Sequence, residues 1–299
     1  MTSRPTPLIA FLVGTLGIAT FSGMDAVMKG LVIALGIYPT MLWRMLSGVA
    51  MAGTLFAARP NWPSSSTMRI HLYRGALTTV MAMLFFWGLA RVPLAQAIAL
   101  AFIAPLIALF LAAFFLGETI GRKTVAASLV AFAGVVLIFI GQAQADLGRD
   151  AMLGSVAILA SAICYAVNII LMRSQAQVAG PIEIAFFQNV IVAALLLAAW
   201  PLFGGADLPP AGQWPFVLLA AFLSTASLLL LSWAYARAEA SYLAATEYTS
   251  FLWAMAFGWL IFGEHVSMFT LAGAALIVAG CFLAARRPEE CTPSLEAAT

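Results

Sequence analysis

A chain of 299 residues that is 64% hydrophobic and only 9% charged, with a mean hydropathy of +1.03, is no water-soluble fold, since those run at roughly 45–50% apolar and about 25% charged. The formal net charge of +2 comes without a basic patch, which speaks against nucleic acid and leaves the lipid bilayer as solvent. The three cysteines (Cys164, Cys281, Cys291) share no ligand-like spacing, so no metal, redox centre or cofactor is expected.

About 20 apolar residues carry a helix across a bilayer. Cutting at charges, prolines and polar clusters predicts ten spans, at about 8–30, 39–58, 72–90, 94–116, 124–141, 153–172, 182–202, 215–236, 240–262 and 267–285. Arg4 before the first run suggests a signal peptide. That run is longer than a signal core and has no small-x-small cleavage site before Lys29, so it reads as a retained span. Arg59-Pro60-Asn61 with Ser64-Ser65-Ser66 forms one connection, Arg91-Val92-Pro93 a tighter one, and Phe203–Gly212 a Gly/Pro loop. The polar stretch Gln142–Asp150 divides the chain into two five-span repeats, 1–143 and 144–287, with a loose cytoplasmic tail at 288–299.

The halves echo each other at an offset of 146. Trp87-Gly88-Leu89-Ala90-Arg91 matches Trp233-Ala234-Tyr235-Ala236-Arg237, Gly117-Glu118 matches Gly263-Glu264, and Gly134 matches Gly280. Trp, Arg and Glu are scarce here, so their shared register marks a duplicated unit. With the N-terminus inside, the cytoplasmic side collects Arg4, Arg59, Arg69, Arg74, Arg122, Lys123, Arg173, Arg237, Arg286 and Arg287, against Lys29, Arg91 and Arg149 outside. That bias puts both termini in the cytoplasm. Five spans per repeat is an odd number, so the second copy is inverted, the architecture recurrent in secondary transporters. A duplicated membrane scaffold and an oligomeric channel are the alternatives of another class. No nucleotide-binding loop is present, so a gradient must drive transport. The two histidines, His71 and His265, fall at opposite membrane faces without a carboxylate cluster, which argues against an enzyme.

Ten spans in two repeats, Pro39 followed five residues later by Arg44, and a Gly-Glu closing the fourth and ninth spans resemble the drug/metabolite transporter superfamily, most closely its EamA-type ten-helix exporters. The resemblance implies an all-α integral membrane protein that exports small amphipathic metabolites by alternating access across a bacterial inner membrane. Amino acids, aromatic ones included, are the implied substrates, and a proton-coupled multidrug or organic-cation exporter is the alternative. In one departure, the second copy has Gln188-Asn189 where the first has Trp43-Arg44, so a cationic site there is one-sided.

An ionisable group at membrane depth costs roughly 2.5–3.5 kcal/mol and needs a partner or a water-filled cavity. Asp25 and Lys29, four apart, share a helix face, as a gate or coupling element or as a neutralised packing pair. Arg44 lies roughly 8 Å below the outer boundary by helical rise. It can snorkel, pair with Asp25, or meet a substrate carboxylate bidentately. Glu247, whose repeat partner is Ala101, either carries a proton or a substrate ammonium, or bonds a neighbouring backbone. Gln96, Asn168, Gln188 and Asn189 are interhelical glue, worth about 0.6 kcal/mol each, or together supply a cavity with polarity. Pro105 breaks a helix bond mid-membrane, lining the cavity with a freed carbonyl or making a packing kink. Each Gly-Glu reads as a glycine helix cap followed by a carboxylate at the next helix N-terminus, and Glu183 after Pro181 likewise sits at a helix start. Most tryptophans form an interfacial belt. Trp43 and Trp253 are deep enough to line a cavity, with Tyr165, Phe186 and Phe187 as further candidates. Small residues around Ala127 and Gly273 would let spans five and ten form a homodimer.

Overall fold

The computed structural model describes residues 7–58, 60–116, 122–144, 148–203, 207–235, 237 and 246–285. Arg59, the Gly117-Glu118 motif, part of the inter-repeat stretch (145–147), the expected start of the ninth span (240–245) and the tail lie outside the described residues. The long elements among the described residues are all α-helices: α1 (Pro7–Leu35), α2 (Ile37–Ala58), α3 (Ser65–Leu89), α4 (Leu94–Ala101), α5 (Ala104–Leu116), α6 (Arg122–Gln144), α7 (Gly148–Ala176), α8 (Pro181–Ala198), α9 (Trp214–Tyr235), α10 (Thr249–Phe262) and α11 (Met268–Ala285). Six of them, α1, α2, α3, α7, α8 and α9, are long and apolar enough to cross a bilayer outright, and the rest are shorter apolar helices. Taking α4 and α5 as the two parts of one span, the helices supply ten crossings.

Three boundaries move from their expected places, each for a physical reason. α1 runs on past Lys29 until Gly36, whose φ of +86° ends it. The lysine did not stop the helix because its charge is neutralised inside the bundle. α3 starts at Ser65 rather than near 72, since Ser64 caps it by accepting the Thr67 N–H at 3.2 Å. That brings His71 inside the helix with Arg74. α7 extends to Ala176 and takes in Gln175.

The packing has the symmetry of two inverted repeats. α1 packs on α9 as α7 packs on α3, α2 meets α9 as α8 meets α3, and α1 meets α10 as α7 meets α4 and α5. The pairs α2–α8, α4–α10 and α6–α11 each join an element to its own counterpart. Exchanging the repeats maps this set onto itself, as a two-fold axis in the membrane plane requires. The most extensive contacts, α6–α11, α1–α9, α3–α7 and α2–α8, all cross between the repeats. Two are backbone-close: a Cβ on Gly88 would stand 2.5 Å from the Gly154 carbonyl, and one on Gly134 would stand 2.5 Å from that of Gly273. Gly273 is therefore engaged by α6 of its own chain, not held open for a second copy.

The Trp–Arg echo is one device built twice. Arg91 lies 3.6 Å over the Trp87 ring and donates to the Trp87 carbonyl at 2.8 Å. Arg237 lies 4.1 Å over Trp233 and donates to its carbonyl at 3.1 Å. Both arginines serve their own helix ends, so the motif marks the repeat and not a site.

Candidate functional site

At the end of the bundle that carries the α1–α2 turn, Lys29 is buried and ion-paired to Glu264. Its ammonium also donates to the Val92 carbonyl at 2.6 Å and lies 5.1 Å from the centre of the Phe262 ring. Gly263, at φ +65°, closes α10 and aims Glu264 inward. The second carboxylate oxygen accepts the Leu94 N–H at 2.7 Å, in the first turn of α4. The Gly-Glu motif thus meets a helix N-terminus, but that of α4 and not that of the following helix. The expected pairing of Lys29 with Asp25 gives way, because Glu264 reaches the same end of α1 with one oxygen for the ammonium and one for a backbone donor.

At the opposite end, a directional chain of hydrogen bonds joins α3, α7 and α8. Arg74 donates from Nε to Asn168 Oδ1 at 3.0 Å and from Nη1 to Gln175 Oε1. A guanidinium can only donate, so the amide of Gln175 is oriented with its nitrogen towards His71. Gln175 Nε2 then donates to His71 Nδ1 at 2.6 Å, which leaves the ring proton on Nε2, facing Glu183 Oε1 at 3.2 Å. Asn61 donates to the other Glu183 oxygen at 2.7 Å. Asn168, Gln175, His71 and Glu183 are all buried. Phe187 stacks on His71, ring centres 5.2 Å apart, and so packs the chain in place of lining a cavity.

Between these ends, both repeats break a helix at the same register. α4 ends at Ala101 and α5 starts at Ala104, with Pro105 lacking the N–H that would return to Ala101. In the second repeat, a turn at Tyr248 separates residues 246–247 from α10. Adding 146 to Ala101 and Phe102 gives Glu247 and Tyr248, so the breaks are repeat-related. No proline makes the second one; hydroxyls satisfy its carbonyls, Thr249 donating to Thr246 and Ser250 to Glu247, each at 2.6 Å. The two break residues meet, with the Phe102 and Tyr248 rings 5.6 Å apart, where a two-fold axis must pass. Glu247 and Tyr165 are exposed, Tyr165 by 38%. Turning a carboxylate towards lipid at such depth is costly. Arg74 and Glu247 both lie within electrostatic range of the Tyr165 hydroxyl.

A second group of polar atoms is buried without a hydrogen-bond partner among the described residues: Ser22 Oγ, both Asp25 oxygens, Thr40 Oγ1, Arg44 Nε, the Gln188 amide and Trp253 Nε1. Asp25 and Arg44 are each other's counter-charge by field, without a direct bond. Buried polar groups are nearly always satisfied, so such a set on α1, α2, α8 and α10 departs from the usual pattern of a packed interior. An apolar groove of about 370 Å³ beside Tyr248, between α10 and α11, is separate from these charged groups.

The remaining expected residues are glue or rim. Gln96 donates to Ser155 at 3.2 Å, tying α4 to α7. Asn189 bonds back to the Ala185 carbonyl at 2.9 Å. Trp43 donates to the Asp207 carbonyl at 2.9 Å and packs on Trp214, which places it under the α8–α9 connection and engages its only polar atom. Sequence reasoning missed the hydrogen-bond chain because α3 was started after His71 and α7 was stopped before Gln175, while Arg74, inside the expected third span, was counted only as a cytoplasmic-side charge. The usable signal was spacing: His71 and Arg74 are three apart on α3, and Asn168 and Gln175 seven apart on α7, each pair on one face.

The family model for EamA-like transporters matches residues 8–140 and again 152–286. A pseudopaline exporter, CntI of Pseudomonas aeruginosa, is 27% identical over 277 residues, covering 92% of this chain and 95% of that relative. A riboflavin transporter of Rhizobium johnstonii is 30% identical over 215 residues, covering 70% and 67%. One solved crystal structure aligns over 95% of this chain and 98% of its own with a TM-score of 0.59, and at 22% identity it speaks for the fold alone.

Proposed function

The chain belongs to the EamA-like transporter family, and from that premise we propose that it exports small amphipathic metabolites, amino acids above all and aromatic ones among them, by alternating access. Its membrane is the bacterial inner membrane, with both termini in the cytoplasm. The observation that carries this reading is the pair of helix breaks at one register, meeting at Phe102 and Tyr248. Secondary transporters bind substrate near the midplane where discontinuous helices of two repeats meet. Glu247 at the second break contacts the solute. Lys29–Glu264 is a latch closing the outer end, and Asp25, Arg44, Gln188 and Trp253 form a polar interior that hydrates or binds as the helices move. Relatives named for pseudopaline export and riboflavin transport support a small metabolite as the solute class.

A counterflow screen in proteoliposomes, with amino acids, nucleobases and organic cations as counter-solutes, tests this. Saturable exchange of an amino acid is the expected result, and flux that does not saturate would make the protein a channel. A second reading, a proton-coupled organic-cation exporter, draws on the accessible Glu247 beside Tyr165 and Tyr248, since aromatic faces and a carboxylate suit cations. It requires exchange of cations in preference to amino acids and a flux that responds to an imposed pH gradient.

A further inference from the structure

At the end of the bundle opposite Lys29, every hydrogen bond from Arg74 to Glu183 runs in one direction. Arg74 donates to Gln175, Gln175 to His71 Nδ1 at 2.6 Å, and His71 Nε2 to Glu183 Oε1 at 3.2 Å. Asn61 donates to the other Glu183 oxygen at 2.7 Å. His71, Gln175 and Glu183 are buried, so no bulk water is at hand to correct a mismatch among them. Among the described residues, the charged groups facing His71 are Glu183 of α8, in direct contact, and Arg74 of its own helix, through Gln175. The α7 partner, Gln175, and the Asn61 connection are neutral, and the described ends of α1 and α2 on this side carry no ionisable side chain. Arg69 and Tyr73, two residues either side of His71, are exposed on the other face of α3.

An added proton breaks this order. Both Glu183 oxygens are engaged as acceptors, whereas His71 Nδ1 has a lone pair that a proton can take. On Nδ1 the proton would face the Gln175 amide nitrogen, and Gln175 could answer only by turning its oxygen to the ring. Its nitrogen would then meet Arg74, which has no acceptor to offer. The bond between Arg74 and Gln175 must break, leaving Asn168 as the amide that still holds the guanidinium. We infer that His71 is a proton-binding site whose occupancy releases Arg74 from Gln175 and loosens the seam between α3 and α7 at this end. That seam is among the most extensive contacts between the repeats, so loosening it opens this end of the carrier. His71 takes the proton, and Gln175 is the positioning residue that passes its effect to Arg74. The device acts on the bundle itself, whatever solute is carried.

Two measurements on the full chain in lipid nanodiscs test this, and neither needs the solute. With His265→Gln, His71 is the only histidine, and nitrogen NMR should show its Nε2–H tautomer at about pH 8. An Nδ1–H tautomer would refute the donor order. For the seam, Cys164, Cys281 and Cys291 are replaced by serine and spin labels are attached at Leu72→Cys and Ser174→Cys, both exposed positions. Between about pH 8 and about pH 5, the range in which histidine changes charge, the label separation should widen by about 1–2 Å or more, the scale of helix shifts. His71→Gln can still accept from Gln175 and donate to Glu183 but takes no proton, and it should abolish the widening. Gln175→Glu accepts from the protonated ring and from Arg74 together, so it should abolish the widening while keeping the histidine. Both variants should hold the unmutated separation at about pH 8, which a misfolded bundle would not. A separation that acid leaves unchanged in the labelled parent overturns the inference, and so does a widening that survives in either variant. The tautomer and the parent's acid response decide by themselves if a variant fails to fold.

Discussion

Lys29 meets a carboxylate, a carbonyl and a ring within a site that α1, α4 and α10 build together. Removing one partner of such a buried pair leaves the other uncompensated, typically at a cost of 3–5 kcal/mol, whereas removing both is far milder. Lys29→Met should therefore lower the melting temperature in detergent, read by tryptophan fluorescence, and adding Glu264→Gln should restore most of it. A double variant as unstable as the single one would show that the charge was not the issue. Glu247→Gln should lower counterflow without lowering membrane expression; unchanged flux would take Glu247 out of the mechanism. At this scale the rare residues were legible and their partners were not. Asp25 and Lys29 share a face by arithmetic, yet the anion that binds Lys29 comes from Glu264, 235 residues away. Local spacing carries no information about such a contact.

The break between α4 and α5 needs Pro105, while its counterpart before α10 manages with hydroxyls. Pro105→Ala gives residue 105 an N–H that can return to Ala101 and stiffen the span. The expected outcome is slower exchange with a melting temperature that holds or rises, by no more than about 3 kcal/mol in stability. Unchanged exchange would mean that the break is packing alone. Gly134→Val attacks the α6–α11 seam, where a Cβ would stand 2.5 Å from a carbonyl. Backbone must shift to admit it, so folded yield by size-exclusion chromatography should fall sharply. Hydropathy gave the order and number of spans reliably, because an apolar run of the right length has one use in a bilayer. Helix ends were less legible, since Lys29 was taken as the end of the first span although the bundle holds an anion for it.

Inversion of the repeats puts Arg91 and Arg237, equivalent in their own copies, on opposite sides. On a background with Cys164, Cys281 and Cys291 replaced by serine, a membrane-impermeant maleimide should label Arg91→Cys in intact cells. Arg237→Cys should react only after permeabilisation. Labelling of both from outside would overturn the inverted arrangement. The sequence carried this feature through the 146-residue echo, but not the way in which the two copies lock together. All the most extensive helix contacts cross between the copies, and this bears on how the protein is made. The first five helices enter the bilayer with their partners still unwritten. At about 5–20 residues per second, Lys29 waits roughly 10–50 s for its anion. During that interval the nascent half is a set of loose helices exposed to membrane proteases, so residues 1–143 synthesised alone should be degraded quickly and rescued by co-synthesis of residues 144–299. The assembly step, and not either copy, is where this chain becomes a folded protein.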